Sequence, residues 1–195
     1  MATGEILYFD RPGPKNTGAL AVAVRERAQA LGIRHVVVAS NSGATALTLQ
    51  RALADDGVAV VAVTEHAGWD GKGDDLTLTD TMRRRLEAAG VRVLTCSHAL
   101  SGVARSITNK FGGVSHVEII AYTLRAFGEG LKVAVEVAVM AADAGLVPTD
   151  REIIAVGGTG RGADTAVVLR AAHMNNFFDL EVREIIAKPR QRKAK

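Results

Sequence analysis

Ile33-Arg34-His35-Val36-Val37-Val38-Ala39-Ser40-Asn41-Ser42-Gly43-Ala44-Thr45 carries the reading of the fold. Its first half is an apolar, β-branched run that does not alternate with polar residues, the pattern of a strand buried on both faces. Its second half is a polar, small-residue turn that leads into Ala44, Leu47, Leu49, Ala52 and Leu53, apolar positions of a helix running from Gly43 to Asp55. A buried strand followed directly by a helix is the unit of a parallel sheet.

The same character recurs outward from this stretch. Val58 to Thr64, Val91 to Thr95 and Ile153 to Val156 are further apolar runs bounded by glycine or polar turn residues. Between them lie helical segments. Asn16 is positioned to cap a helix through Leu31 that stops at Gly32, and Thr79 or Thr81 to cap Met82–Ala89 before Gly90. Ser115-His116-Val117-Glu118 reads as a capping box for a helix to about Phe127, followed by an apolar helix from Leu131 to Ala144. Near the end, 166–170 fits helix or strand, while 182–186 alternates as a strand, and an antiparallel closing pair is preferred. The fold class is therefore α/β: three layers, α/β/α, with a mainly parallel sheet closed by that pair.

Composition narrows the class. The 195 residues are 48% hydrophobic and 23% charged, which suits one globular domain and is short for a (β/α)8 barrel of roughly 250 residues. Of 24 basic residues, Lys188, Arg190, Arg192, Lys193 and Lys195 lie in the last eight positions, leaving 19 against 21 acidic, a net of −2 for the body. The expected organisation is a single domain over 1–187 and a basic tail over 188–195. A body without basic excess gives no nucleic-acid footprint. No run of 18 apolar residues suggests a membrane span. The lone Cys96 and the lack of a signal sequence point to the cytoplasm.

In such sheets ligands sit beyond the carboxyl ends of the strands. Four loops occupy those ends. Ser40, Asn41, Ser42, Gly43, Ala44 and Thr45 form the first, whose amides and hydroxyls can surround an anion at a helix N-terminus or simply cap the helix. Gly157, Gly158, Thr159, Gly160, Arg161, Gly162, Ala163, Asp164 and Thr165 form the second. It reads as a glycine-rich anion loop with a guanidinium, or as a tight structural turn. Gly158, Gly160 and Ala163 match G-x-G-x-x-A, but too little chain follows for a dinucleotide fold. The third, after Thr64, runs from Glu65 to Asp75 and holds His66 and the only tryptophan, Trp69, either to stack on a flat ring or to anchor the loop. The fourth begins at Cys96 and contains His98. No metal-ligand spacing, serine-hydrolase elbow or carboxylate pair is present, and no catalytic residue is assigned. His173 to Asp179, with two of the five phenylalanines, reads as a loop packed on the body, a site wall or an oligomer contact.

Five longer strings carry a resemblance: Val37-Val38-Ala39-Ser40, Ser97-His98-Ala99-Leu100-Ser101-Gly102, Ala138-Val139-Met140-Ala141-Ala142-Asp143, Arg161-Gly162-Ala163-Asp164-Thr165-Ala166 and Ala172-His173-Met174-Asn175-Asn176-Phe177-Phe178. Over nearly its whole length the chain resembles the stand-alone proteins similar to the C-terminal α/β domain of pyruvate kinase. The resemblance implies that fold and a phosphorylated small-molecule ligand at the first two loops, with flavin mononucleotide (FMN) as the candidate cofactor. Thr64 is counted among the binding residues, and Trp69, His66 or His98 would line the ring. Pyruvate kinase catalysis is not expected, because it belongs to a barrel domain, and the first loop lacks the arginine often found in the kinase version. A binding or regulatory module is the first expectation. An FMN-dependent oxidoreductase, with His66 or His98 near the ring, is the alternative. A homo-oligomer is compatible with either, without a copy number.

Overall fold

The computed structural model describes residues 4–69 and 73–192. Seven strands, β1 (Leu7–Phe9), β2 (His35–Ala39), β3 (Ala59–Thr64), β4 (Arg92–Thr95), β5 (Glu152–Gly157), β6 (Thr165–Arg170) and β7 (Glu181–Pro189), form one sheet in the order β1-β7-β6-β5-β2-β3-β4. The pairs β5–β2, β2–β3, β3–β4 and β1–β7 are parallel, whereas β6 runs antiparallel to both β5 and β7. The non-alternating runs are buried as their pattern requires: Val36, Val37 and Val38 are fully shielded, as are Val60, Val61 and Ala62.

Helices cover both faces. α1 (Thr17–Leu31), α2 (Ala44–Leu53) and α3 (Asp80–Ala88) pack on one side, where Leu20, Val24, Leu49, Leu53 and Leu86 meet Val36, Val38 and Ile154. On the other side α6 (Glu129–Asp143) lies over Val37, Ile153, Ala155 and Val167. α5 (His116–Arg125) rests on α6, and α4 (Val103–Phe111) rests on α5. Helix ends follow their local chemistry. Thr79 Oγ1 accepts from Met82 N, the Ser115/Glu118 capping box is closed in both directions, and Gly32 stops α1 in the left-handed conformation.

Several details depart from the expectations. Asn16 precedes α1, but its Nδ2 donates to Arg11 O instead of capping the helix. Residues 166–170 are strand, giving the antiparallel closing pair. β1 and α4 are additions that the residue pattern did not reveal. β7 takes in Lys188 and Pro189 of the segment set off as a basic tail, and Arg190 N donates to Phe9 O on β1. Lys193 and Lys195 lie outside the described residues. His173–Asp179 contains a short 3-10 helix anchored by Asp143, whose Oδ1 accepts from Met174 N; Phe177 packs inward and Phe178 stays 86% exposed. Among the described residues no helix is long and apolar enough to cross a membrane.

Candidate functional site

From β2 the chain leaves toward β3, while β5, its other neighbour, leads into β6. The loops after β2 and β5 therefore diverge at a topological switch point, the place where sheets of this kind bind ligands. The carboxyl ends of β5, β2, β3 and β4 lie side by side there, so all four loops singled out in the sequence reach one edge of the sheet.

The first loop is built to start α2. Ser40 is buried, its Oγ accepts from Ala46 N at 3.1 Å, and Leu47 N donates to Gly43 O. Among the described residues, the remaining first-turn amides, Ala44 N and Thr45 N, have no protein acceptor, and Ser42 and Ala44 are exposed. Thr45 is buried. Gly43 sits at φ 82°, and a Cβ there would strike Met82 of α3, so its glycine character is set by packing. Asn41 Oδ1 accepts from Glu65 N, tying this loop to the end of β3.

The glycine-rich loop is arranged differently. Asp164 is fully buried at its base: its Oδ2 accepts from Thr159 N at 3.1 Å and Gly13 N at 3.2 Å, and its Oδ1 accepts from Thr165 Oγ1 at 2.9 Å. A carboxylate of the protein thus occupies donors that the sequence offers to a phosphate. The glycines have internal reasons as well. A Cβ on Gly157 would collide with Gly130 O of α6, one on Gly158 with Gly162 O, and one on Gly162 with Pro14. Thr17 Oγ1 accepts from Ala163 N and fastens the loop to α1. Gly160 and Arg161 point to solvent.

The third and fourth loops meet. The Trp69 ring lies 4.3 Å from that of His98, and the His66 ring lies 5.6 Å from Trp69 and 5.3 Å from His98. The Arg105 guanidinium, from α4, lies 4.9 Å from the Trp69 centroid, a cation–π contact. Burial holds the His98 imidazole below its ordinary pKa; Glu136 opposes this, while His66, Lys132 and Arg105 add to it. Below the rings α6 contributes a buried ion pair: Lys132 Nζ lies 2.5 Å from Glu136 Oε2, and Glu136 Oε1 accepts from Leu100 N at 2.9 Å. That pair shapes the His98 loop from beneath. Ser101, next in that loop, is 7% exposed and its Oγ finds no partner among the described residues. Asp70, Gly71 and Lys72 of the third loop lie outside the described residues.

Thr64 does not face the rings as a free group. Its Oγ1 lies 2.8 Å from Thr95 Oγ1, which also accepts from Arg83, so it belongs to a satisfied hydroxyl network. Cys96 is half-buried, and burial raises its thiol pKa, with Asp143 adding to the effect. No group of three metal-ligating side chains occurs among the described residues. Arg105, Lys132 and Glu136 carried no assigned role in the sequence. The signal for the last two was a Lys and a Glu four apart in an otherwise apolar helix, since such residues are seldom buried unless paired.

Solved structures similar to this chain include a pyruvate kinase from Cryptosporidium parvum, 16% identical, covering 80% of this chain and 23% of that one with a TM-score of 0.43. The same organism's pyruvate kinase in complex with ADP is 17% identical over 78% of this chain and 22% of that one, with a TM-score of 0.40. The chain thus spans less than a quarter of the length of either enzyme. The model of the pyruvate kinase alpha/beta domain matches residues 18–169, more than three quarters of the chain, and the chain belongs to that family.

Proposed function

We propose that this protein is a binding module for a phosphorylated small molecule with a planar ring, held at the carboxyl ends of β2, β3 and β4. Two observations carry the reading: Trp69 packs against His66, His98 and Arg105, and Ala44 N and Thr45 N have no protein acceptor among the described residues, on loops that follow adjacent strands of the sheet. A phosphate at the α2 N-terminus gains both hydrogen bonds and the positive end of the helix. The ring takes the aromatic and cationic wall one to two strand intervals away, roughly 5–10 Å at the usual spacing. FMN suits that separation, because a flexible ribityl chain joins its phosphate to its ring. In Gly157–Thr165 the loop's own Asp164 carboxylate already accepts from Thr159 N. In this reading the phosphate sits at Ser40–Thr45, where the helix start adds its positive end, and the module binds without turnover.

The single tryptophan gives a direct test. FMN should quench Trp69 emission saturably. Riboflavin, which has the ring without the phosphate, should bind more weakly, and inorganic phosphate should compete with FMN. Absence of saturable quenching by FMN up to millimolar concentration would remove FMN. Equal affinity for FMN and riboflavin would remove the phosphate site.

A further inference from the structure

α4 has an apolar stripe and buries no residue in its own chain. Val103, Ile107 and Phe111 recur every fourth position along one face and are 76%, 50% and 76% exposed. Val114 in the connection and Ile119 and Tyr122 on one face of α5 are exposed by 69%, 53% and 66%. A nine-residue helix is too short to persist in water on propensity alone. These six residues expose on the order of 700 Å² in all, backbone included; the largest patch on a typical monomer is roughly 300–600 Å², and each partner in a standard interface gives roughly 800 Å².

We infer that this face pairs with the same face of a second copy, forming a two-fold dimer through the α4–α5 hairpin. Its area approaches what one side of a standard interface contributes, and its charges are already engaged within the chain. Arg125 is paired with Glu129 and lies over Tyr122, Glu118 accepts from Ser115 N and Thr108 Oγ1, and Lys110 lies over Phe111. The stripe is also self-complementary. A two-fold axis at Ile107 sets the small Val103 of each copy against the large Phe111 of the other. Because Arg105 projects from the same helix onto Trp69, pairing also steadies that contact. The inference itself rests on the hairpin and not on the ligand reading.

Sedimentation equilibrium of the full chain tests it without any ligand. The expected result is a species of twice the 20.5 kDa chain mass at tens of micromolar. Ile107→Asp with Phe111→Asp should give a monomer with unchanged far-UV circular dichroism. Phe178→Asp, at the opposite end of the sheet, should remain dimeric. A wild-type monomer, a dimer that survives the hairpin substitutions, or one broken only by Phe178→Asp overturns the proposal. A wild-type monomer that co-floats with phosphatidylserine vesicles overturns it in favour of a lipid surface. Should the hairpin variant fail to fold, hydrogen exchange of wild-type residues 103–111 decides: protection that rises with protein concentration supports the dimer, and concentration-independent exchange overturns it.

Discussion

The loops after β2 and β5 leave neighbouring strands of the sheet, and both are rich in small residues, yet only the second holds a buried carboxylate of its own that accepts one of its backbone donors. Ser40–Thr45 closes two of the α2 first-turn amides internally and leaves Ala44 N and Thr45 N without a protein acceptor among the described residues. Gly157–Thr165, with more glycine, gives Thr159 N and the Thr165 hydroxyl to its own buried Asp164, which also accepts from Gly13 N. Its glycines let the strands, α6 and the Pro14 segment before α1 approach each other. A glycine-rich loop therefore signals close backbone approach, and only the fate of its amides tells whether the approaching group is a ligand or the protein itself.

This contrast can be broken at several points. Asp164→Ala leaves Gly13 N, Thr159 N and the Thr165 hydroxyl without their acceptor and should cost about 3 kcal/mol in urea unfolding. A loss below ~1 kcal/mol would mean that the carboxylate is not structural. Gly157→Ala forces a methyl against Gly130 O and should cost about 2 kcal/mol by the same measurement. Ala44→Glu adds a carboxylate where α2 starts. It should leave stability nearly unchanged while weakening FMN roughly tenfold or more in a Trp69 titration. Gly160→Ala, at φ 85° in the solvent-facing part of the second loop, should cost about 1 kcal/mol of stability and leave FMN affinity alone.

The smallest effect is a pH dependence. His98 and His35 both hold their imidazoles below the ordinary value, chiefly through burial. The unfolded chain then binds more protons between the lowered values and about 6.5, so stability rises with pH across that window. The contribution is complete above about pH 6.5 and is lost as pH falls through the folded values. Urea unfolding across this range should show the slope, and His98→Gln should make it shallower without abolishing the His35 part. An unchanged slope would place His98 in a more solvated setting than the packed rings imply.

Much of the fold was legible because it is locally encoded. Val36–Val38 and Val60–Val63 announce strands buried on both faces, and Thr79, Ser115/Glu118 and Gly32 mark helix ends by short-range hydrogen bonding. β1 was not legible, since its three residues become a strand only by pairing with β7 at the far end of the chain. α4 was hidden because Ser106, Thr108 and Asn109 favour helix weakly and its stripe meets nothing in its own chain. Missing α4 meant missing Arg105. Within the site, His66, Trp69 and His98 could be named from their strand ends, and the structure brings them together. What the residues could not disclose was the destination of each amide in the glycine loop, because Gly13 and Thr17 meet Ala163 and Asp164 only after the sheet has closed.

The most direct measurement is the FMN affinity of Ala44→Glu beside that of Arg161→Ala, read from Trp69 emission in the full chain. Phosphate recognition at the α2 N-terminus predicts a loss of roughly tenfold or more for Ala44→Glu and a change of less than about twofold for Arg161→Ala. The reverse pattern, with affinity lost at Arg161 and kept at Ala44, would contradict the account and return the phosphate to the glycine loop.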